Sequence, residues 1–566
     1  WQPSAVPSAP APTGRWLVTG TAGAGDPMRT RLRERLDEPA DGPVAGVLFL
    51  AWHDTAPADV PAAAEQRALA VAESAASLVR ESEDGGAPPP RLIVVTRQGT
   101  HPDPVQGALR GLVRTLAMER PELGARLIDL DPTTGPDAAA DQLLAELGAP
   151  DAADETAWRG GTRHVASLQP LPSAPGGSRP VVRPDGGYVI TGGTRGVGLR
   201  TAQWLVERGA RHLVLNSRSA PAPESAARIA ALRAAGAQVT VIQGDLAEPG
   251  VARRLVDAVA APGVRLRGVV HAAAVLDDAV ITGMDAERFR RVWRAKATGA
   301  WHLHTATTGP GLDWWIAYSS LASLIGSAGQ ANYAAANAFV DSLTAHRRAL
   351  GLPGLAVNWG AWTEVGRVRD VEFAGFDKLG PREAFAALEE LLGADAGQAG
   401  VVRFRPAEFL ALHPHLRGTP FFTALAAGEA VPGDGGFEVG GLARLDAAAR
   451  RKAVTARLAL RTGQAMGLRD AASTVDRPLV ALGLDSLAAV RIKALIHEDF
   501  GIDLPVTRLL EGASTADLAA DLMAALDGPD PAGPTELRDT AVDQAVRRAR
   551  QRTARTGRQQ ARRRKR

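Results

Sequence analysis

The sequence predicts an α/β protein in which two regions of alternating strands and helices precede a small helical bundle, and the second region forms a doubly wound parallel sheet. Strand-like and helix-like segments alternate along the first 425 residues, and helix-like segments alone occupy 444–526. The chain of 566 residues also exceeds the size at which one hydrophobic core keeps growing, so several domains are expected.

The composition excludes several classes of protein. The chain has no cysteine, which rules out disulfides, thiolate metal sites and a cysteine nucleophile and fits a cytoplasmic location. It has no run of about 18 uncharged apolar residues and no signal-peptide pattern, so we expect no membrane span. The chain begins at Trp1 rather than at methionine, as a fragment of a larger polypeptide would.

The first alternation predicts an α/β region. Its strand-like segments are 15–18, 44–50, 91–95 and 125–130, and its helix-like segments are 62–80, 105–119 and 137–147. A glycine run at 19–25 follows the first strand, but Asp26 and Pro27 come next and the following helix is weakly patterned. We interpret this run as a degenerate turn. Pro, Ser and Gly dominate 169–179, which indicates a linker.

The second alternation is more regular and predicts a complete, doubly wound sheet of Rossmann-like type. Its predicted strands are 187–191, 211–217, 238–243, 266–271, 313–319 and 354–358. Its predicted helices are 197–209, 223–235, 249–260, 286–305 and 331–350.

A glycine-rich turn, Thr191-Gly-Gly-Thr-Arg-Gly-Val-Gly198, lies between the first strand and the first helix of this second alternation. Its three spaced glycines permit the turn, let the backbone approach a pyrophosphate, and allow the helix to pack closely on the strand. The context predicts a dinucleotide site, and a purely structural turn is the alternative. The residues assigned to the site are Gly192, Thr194, Arg195, Gly196, Val197 and Gly198.

Basic residues near this turn predict which dinucleotide binds. The second strand ends in Ser217-Arg218, where a site for NAD usually carries an acid. Arg218 and Arg195 suit a ribose 2′-phosphate and favour NADPH, although surface arginines are common. Asp245 and Leu246, after the third strand, are candidate adenine contacts, and a helix N-cap is the alternative for Asp245.

A serine and a tyrosine mark the candidate catalytic site. Ser320 follows the strand-like run Trp314 to Tyr318, and Tyr333 lies early in the next predicted helix. This geometry can bring a hydroxyl and a phenol to one carbonyl oxygen. Asn337 lies four residues after Tyr333 and therefore shares its helix face. A helix entry with an incidental tyrosine is the alternative.

These residues resemble the short-chain dehydrogenases/reductases, in which a serine, a tyrosine and a lysine four residues after the tyrosine form the site. Ser320 is 13 residues before Tyr333, but position 337 is asparagine. The candidate lysine is Lys296, on the preceding helix. That exchange of lysine and asparagine is similar to the ketoreductase domains of modular polyketide synthases. Three further segments resemble that family: 318–320, 326–339 and 357–362.

The resemblance implies reduction of a β-ketoacyl thioester by NADPH in polyketide biosynthesis, which includes antibiotic biosynthesis. Tyr333 would protonate the ketone oxygen and Ser320 would hydrogen-bond it. Lys296 would lower the pKa of the tyrosine, since a phenol with a pKa near 10 is a poor proton relay at neutral pH, and would bind the nicotinamide ribose. Asn337 would hold the proton relay.

The resemblance extends to the first 175 residues. Segments 108–122 and 158–166 are similar to the structural subdomain that precedes such reductases, a truncated Rossmann unit without chemistry. That would explain the degenerate glycine run. The glycine turn of the second alternation departs slightly, because Arg195-Gly196 stands where many ketoreductases have Gly followed by a small or apolar residue.

Leu276-Asp277-Asp278 matches the signature of B-type ketoreductases, which set a D-configured hydroxyl. The opposite class has a tryptophan eight residues before the tyrosine, where this chain has Ile325. Epimerising members have a proline two residues after the tyrosine, where this chain has Ala335. The resemblance therefore implies a non-epimerising B-type enzyme, and a surface turn residue is the alternative for Asp278.

The segment Gly483-Leu-Asp-Ser486 opens a predicted helix and resembles the phosphopantetheine attachment site of acyl carrier domains. Asp485 suits a helix N-cap, and a helix N-terminus favours the phosphodiester that would form on Ser486. The resemblance implies covalent 4′-phosphopantetheine on Ser486. A phosphopantetheinyl transferase, a ketosynthase and an acyltransferase are implied partners, and homodimerisation through a full module is open.

The predicted domains are a structural subdomain (1–175), a catalytic subdomain (176–425), a linker (426–443), a carrier domain (444–527) and a basic tail (528–566). Residues 538–566 hold 12 Lys/Arg against two Asp, and we favour a disordered or docking extension over nucleic-acid binding. His271, His302 and His304 lack the spacing of metal ligands, so we expect no metal. A free-standing reductase fused to an unrelated helical module, or a carrier scaffold with an inactive reductase, is the alternative function.

Overall fold

The computed structural model falls into two compact units, Trp1–Phe437 and Glu438–Arg566. It describes residues 1–526 apart from 8–11, 13, 24, 37–42, 53–56, 86, 99–101, 149–152, 172–179, 184, 260–262, 310, 365–374, 427–441, 443–444, 467–473, 483, 485, 503, 505–507 and 510–511. The predicted basic tail and most of the predicted linker lie outside the described residues.

The first half of the first unit contains a seven-stranded sheet. Its strands are β1 (Gln2–Pro3), β2 (Arg15–Gly20), β3 (Val44–Leu50), β4 (Arg91–Thr96), β5 (Arg126–Asp129), β6 (Glu155–Arg159) and β7 (Thr162–Val165). They lie in the order β1-β7-β6-β5-β4-β3-β2. Strands β2 to β6 are parallel, whereas β6 and β7 form an antiparallel hairpin and β1 pairs antiparallel with β7.

Four helices cover this first sheet: α1 (Pro27–Leu36), α2 (Val60–Gly85), α3 (Pro104–Glu119) and α4 (Pro136–Gly148). The N-terminus of helix α3 is stabilised by two residues. Asp103 accepts a hydrogen bond from the amide of Val105, and Pro104 occupies the first turn. The alternation read from the sequence is present here, and the β6–β7 hairpin and β1 are additions to it.

The second half contains a seven-stranded parallel sheet. Its strands are β8 (Gly186–Thr191), β9 (His212–Ser217), β10 (Gln238–Gln243), β11 (Arg265–His271), β12 (Trp314–Ser320), β13 (Leu355–Trp359) and β15 (Gln398–Val401). They lie in the order β10-β9-β8-β11-β12-β13-β15. The strand order reverses between β8 and β11, which makes this sheet doubly wound. Two short strands pair separately, β14 (Phe376–Asp377) and β16 (Arg403–Phe404).

The helices of this half include all five predicted positions. They are α5 (Gly196–Glu207), α6 (Pro223–Ala234), α7 (Val251–Asp257), α8 (Ala286–Trp293), α9 (Gly299–Ala306), α10 (Leu321–Ile325), α11 (Ala331–Ala349), α12 (Pro381–Gly393), α13 (Pro406–Leu412) and α14 (Pro420–Ala426). Four further helices, α10 and α12 to α14, were not predicted. The helix predicted at 286–305 is interrupted, because a π-helix at Arg294–Thr298 separates α8 from α9. Insertions of this kind are frequent at functional sites.

One stripe of α3 joins the two halves. Gly107, Gly111, Thr115 and Glu119 recur every four residues and therefore share one helix face. A Cβ on Gly111 would overlap the carbonyl oxygen of Ala334 in α11, so the glycine lets the two helices touch. A single hydrophobic core contains buried residues of both halves, including Leu112 and Leu116 from α3 and Trp293 and Phe339 from the second half.

The second unit is helical where it is described. Its helices are α15 (Ala447–Ala465), α16 (Ser486–Phe500) and α17 (Thr515–Leu526), with a 3-10 turn at Leu479–Leu482. Leu458, Ile492 and Leu518 are buried among them. Asp499 at the end of α16 pairs with Arg457 and Arg461 of α15, both at 2.7 Å. No helix in the described part of either unit has the length and apolarity to cross a membrane.

Candidate active site

The glycine-rich turn joins β8 to α5 beside the point where the strand order reverses. Gly196 has φ +52°, and a Cβ added there would meet no atom within 4 Å, so this side of the turn is open. A Cβ on Gly198 would overlap the carbonyl oxygen of Gly192, so the helix packs against the turn as predicted. The backbone is therefore exposed at a helix N-terminus, where a pyrophosphate fits.

Two arginines flank this open turn. Arg195 precedes α5, Arg218 follows β9, and both are exposed. Among the described residues, neither has an ion-pair partner, so both guanidinium groups remain available to an anion. Ser217, at the end of β9, donates its hydroxyl to the carbonyl of Ser219 at 2.6 Å. These residues fit a nucleotide whose ribose carries an additional phosphate.

The remaining predicted nucleotide contacts lie after β10. Asp245 accepts a hydrogen bond from the amide of Ala247 at 3.0 Å and lies 3.6 Å from the guanidinium of Arg294. Because α7 begins at Val251, Asp245 closes a turn and is not that helix's N-cap. Leu246 is buried, and its carbonyl oxygen accepts a hydrogen bond from Nδ1 of His302 at 2.9 Å.

The predicted catalytic hydroxyls lie where strand β12 ends and helix α11 begins. Ser320 is the last residue of β12, and its Oγ accepts a hydrogen bond from the amide of Ala322 at 3.2 Å. Tyr333 is half-buried in the first turn of α11. Asn337 donates its amide to the carbonyl of Tyr333 at 2.8 Å. Its Oδ1 is buried and has no hydrogen-bond partner in the described part of the chain, which leaves an acceptor on the tyrosine helix.

Lys296 reaches the same strand from the π-helix. Its ammonium donates a hydrogen bond to the carbonyl of Tyr318, two residues before Ser320, and its side chain is 1% exposed. Burial lowers the pKa of Lys296 to about 8, against the attraction of the Asp341 carboxylate. An ammonium has three donors, and within the described residues one of them is used. Lys296 therefore lies beside the strand that ends in Ser320, and the π-helix that holds it has no signal in the sequence.

His271, at the end of β11, fixes the π-helix to the glycine turn. Its Nε2 lies 2.9 Å from the carbonyl of Lys296, and its Nδ1 lies 2.9 Å from Oγ1 of Thr191. A carbonyl accepts only from N–H, so Nε2 carries the proton and the Thr191 hydroxyl donates to Nδ1. Burial and the nearby Lys296 ammonium lower the pKa of His271 to about 3, so the imidazole is neutral. This connection has no signal in the spacing of the sequence.

A buried polar network lies behind Ser320. Asp341, on the same helix as Tyr333, accepts hydrogen bonds from the hydroxyl of Ser323 at 2.7 Å and the amide of Asn358 at 3.0 Å. Asn358 also donates to the carbonyl of Ser320 at 3.2 Å. Burial raises the pKa of the Asp341 carboxyl. Sequence reasoning placed Asn358 in a family-like segment without a role, and the network holds the end of β12 against α11.

The segment predicted to guide the substrate lies beside the tyrosine helix. Asp277 pairs with Arg288 and Arg291, both at 2.7 Å. Asp278 accepts a hydrogen bond at 3.0 Å from the side chain of Gln330, the residue that caps α11. Leu276 is half-buried. The segment is therefore held by Gln330, which lies three residues before Tyr333.

The predicted carrier serine belongs to the second unit. Ser486 is the first residue of α16, which places its backbone at a helix N-terminus. Its side chain, Asp485 and Gly483 lie outside the described residues. As for metals, no group of three or more His, Asp or Glu in the described part of the chain has an arrangement that could hold an ion.

A glycine turn at a strand-order reversal, with a serine, a tyrosine and a lysine around the end of a neighbouring strand, defines a short-chain dehydrogenase/reductase. Family models refine that class. A KR domain matches residues 186–364, the Rossmann fold domain of the polyketide synthase extender module SpnB matches 1–168, and a phosphopantetheine attachment site matches 461–522.

Individual proteins agree with these matches. A solved structure of A-type ketoreductases from a modular polyketide synthase is 31% identical, with a TM-score of 0.63, over 75% of this chain and 98% of its own. A C2-type ketoreductase is 25% identical with a TM-score of 0.55, over 73% of this chain and 96% of its own. The chain belongs to the ketoreductases of modular polyketide synthases and carries a phosphopantetheine attachment region.

Curated relatives are much longer. One polypeptide of the phenolphthiocerol/phthiocerol polyketide synthase of Mycobacterium tuberculosis is 42% identical over 475 residues, which are 81% of this chain and 26% of that protein. The chain thus spans about a quarter of the length of this relative.

Proposed function

We propose that the chain reduces a carrier-bound β-ketoacyl thioester to a D-configured β-hydroxyacyl thioester with NADPH, without epimerisation. The observation that carries the proposal is made at the end of β12. Lys296 is hydrogen-bonded to the carbonyl of Tyr318 in this strand, Ser320 is its last residue, and Tyr333 lies in the first turn of the helix beside it. A nicotinamide dinucleotide whose pyrophosphate lies at the glycine turn would supply a hydride to the ketone carbon. The protein itself supplies the proton for the ketone oxygen.

Each proposed catalytic residue has a separate task. The Tyr333 phenol donates the proton to the ketone oxygen, and the Ser320 hydroxyl donates a hydrogen bond to the same atom and orients it. The Lys296 ammonium stabilises the phenolate that remains and binds the nicotinamide ribose with its free donors. The unpaired Oδ1 of Asn337 accepts from the group that returns a proton to Tyr333. Because the pKa of Lys296 is about 8, its charge is largely present at neutral pH.

NADPH oxidation tests the reductase directly. We expect the chain to oxidise NADPH in the presence of a 3-oxoacyl N-acetylcysteamine thioester and to form the 3-hydroxy product. A free-standing reductase fused to an unrelated helical module would also do so, but a scaffold with an inactive reductase would not. Absence of turnover in a folded preparation would therefore contradict the proposed reductase.

Selectivity for NADPH is proposed from Arg195 and Arg218, with Thr194, Val197, Asp245 and Leu246 completing the nucleotide site. Arg218→Ala removes a cation suited to the 2′-phosphate, so kcat/KM for NADPH should fall about 10- to 100-fold while that for NADH changes little. Arg228→Ala, on the exposed face of α6, is the matched control. Equal losses with both nucleotides would contradict the assignment.

The stereochemical class is proposed from Leu276, Asp277 and Asp278, supported by the contact of Asp278 with Gln330. Ile325 and Ala335 stand where other classes have tryptophan and proline. A-type and C2-type ketoreductases share this fold, so the fold alone does not distinguish the classes. Chiral chromatography of the 3-hydroxy product decides the question, since predominance of the L-configured product would contradict the B-type proposal.

The carrier role is proposed from Ser486 at the start of α16. A phosphopantetheinyl transferase should add one phosphopantetheine to the chain, visible by intact mass, and Ser486→Ala should abolish the addition. No mass gain on the folded chain would favour the alternative of an unrelated helical module. A substrate held on a long flexible arm reaches a millimolar-scale local concentration, so affinity for free substrate need not be high.

The wider setting is proposed on the same basis. A ketosynthase and an acyltransferase are the expected partners, a homodimer through a full module is compatible with the chain, and a cytoplasmic location fits the lack of cysteine. The division at 175/176 and 443/444 and the basic tail at 528–566 also remain proposals. A tail that binds nucleic acid would show strongly salt-dependent affinity, which we do not expect.

A further inference from the structure

A carboxylate from the first half of the unit reaches two loops of the second half. Glu119, the last residue of α3, is 5% exposed. One of its oxygens accepts the amide of Ile281 and the other accepts the amide of Gly329, each at 2.6 Å. Ile281 lies three residues after Asp278, and Gly329 lies four residues before Tyr333. The two oxygens of one side chain therefore hold the loop that follows Asp278 and the loop that precedes the Tyr333 helix.

The same two loops also bind each other. The amide of Ala279 donates to the carbonyl of Gly329 at 2.9 Å, and the side chain of Gln330 donates to Asp278 at 3.0 Å. The Glu119 carboxylate closes this arrangement into a ring that contains the proposed stereocontrol segment and the start of the tyrosine helix. Movement of one loop therefore moves the other as long as the carboxylate bonds and the two direct bonds hold.

An ionised carboxylate suits this position better than an amide. Both groups that face it are N–H donors, and a carboxylate offers an acceptor to each. A glutamine has one acceptor, so its NH₂ would face one of the two amides and repel it. Burial raises the pKa of the Glu119 carboxyl, and the two amide bonds partly offset that effect.

We propose that Glu119 is a positioning residue through which the structural half fixes the face of the ketone that receives the hydride. The inference rests on the proposed function. It extends that function by assigning stereocontrol to a residue outside the catalytic half, which acts through Asp278 and the Tyr333 helix.

Glu119→Gln in the full chain tests the assignment, with Glu122→Gln as the matched control. Glu122 is exposed three residues further on, so its variant makes the same chemical change without touching either loop. With NADPH and a 3-oxoacyl N-acetylcysteamine thioester, chiral chromatography should show that the minor 3-hydroxy enantiomer rises about tenfold in Glu119→Gln, as expected for a lost charged hydrogen bond. Its kcat should fall while KM changes little, and Glu122→Gln should match the wild type.

Two further measurements make the result decisive. If Glu119→Gln does not fold, Glu119→Asp keeps the charge but reaches one amide at most, and the same rise of the minor enantiomer is expected. Hydrogen exchange reads the clamp without turnover: the amides of 278–283 and 326–333 should exchange faster in the Glu119 variant than in the Glu122 variant. A folded Glu119 variant with an unchanged enantiomer ratio overturns the inference. A wild type without turnover overturns the proposed function instead, and unchanged exchange would then also overturn the clamp.

Discussion

The two seven-stranded sheets of the first unit differ in the order of their parallel strands. The described strands from β2 to β7 follow chain order across the first sheet, whereas the second sheet reverses its order between β8 and β11. Parallel sheets bind ligands where the order reverses, because the connections on the two sides diverge and leave a crevice. The first sheet therefore lacks the place for a nucleotide even though a glycine run follows its first parallel strand.

The two glycine turns show the same difference in atomic detail. Asp26, after the run at 19–25, accepts the amide of Arg29 and the indole of Trp52, both at 2.9 Å, so an acid occupies the start of α1. A Cβ on Gly20 would overlap backbone atoms of Leu50. By contrast, Gly196 leaves its turn open. The first turn is thus occupied at Asp26 and Gly20, whereas its Gly25 is open.

The largest expected effect concerns chemistry in the second half. Tyr333→Phe should lower the rate of reduction about 10²- to 10⁴-fold, because the variant cannot donate the proton. Tyr318→Phe is the matched control, since Tyr318 lies in β12 and the variant removes a buried hydroxyl that is hydrogen-bonded to Thr201 at 2.9 Å. This variant should leave kcat within about threefold of the wild type. Stopped-flow measurement of NADPH oxidation gives both values. A fully active Tyr333→Phe would break the comparison between the halves.

A charge in the first half should matter for stability alone. Glu146 is buried and pairs with Arg126 at 3.2 Å and Arg163 at 2.7 Å. Glu146→Gln leaves two buried guanidinium groups without their carboxylate, so the free energy of unfolding should fall by about 3–5 kcal/mol. Chemical denaturation measures this loss. We expect unchanged kcat in the fraction that remains folded, and a lowered kcat there would show that the first half acts on the chemistry through this pair.

The glycine turns can be compared by the same substitution in each half. Gly198→Ala forces the turn apart and should weaken NADPH binding at least about tenfold, as measured by nucleotide fluorescence. A Cβ on Gly25 would meet nothing within 4 Å, so Gly25→Ala should change neither binding nor stability. A loss of NADPH affinity in Gly25→Ala would mean that the first turn also contacts the nucleotide.

The smallest predicted effect is a change in stability at Lys296, which is measured separately from the role of this lysine in reduction. The pKa of this lysine is lowered from 10.5 to about 8, so the folded chain binds fewer protons than the unfolded chain between these values and stability rises with pH there. At pH 7 the buried charge is therefore destabilising. Lys296→Met should abolish reduction yet raise the free energy of unfolding by about 1–3 kcal/mol at pH 7. A variant less stable than the wild type at pH 7, together with a wild type whose stability is flat between pH 8 and 10, would contradict the burial effect.

Local patterns in the sequence predicted most of the fold, and they also singled out the candidate catalytic residues. The alternation located the parallel strands, and the spacing of Ser320, Tyr333 and Asn337 located one end of β12 and one face of α11. The π-helix around Lys296 was missed because its residues are ordinary helix formers, and the extra residue per turn follows from packing. The ring closed by Glu119 was also missed, because its members lie up to 210 residues apart in the chain.

The stripe of α3 that faces α11 has a practical consequence for exchanging reductive regions between synthases. Gly111 lies under the Ala334 carbonyl, and Thr115 and Glu119 bond the loop ahead of Tyr333 at 3.3 and 2.6 Å. A graft joined between the two sheets would pair this helix with a foreign surface. The chain should therefore be transferred as one piece from before β1 to the end of α14. The contact between α3 and α11 then comes from a single parent.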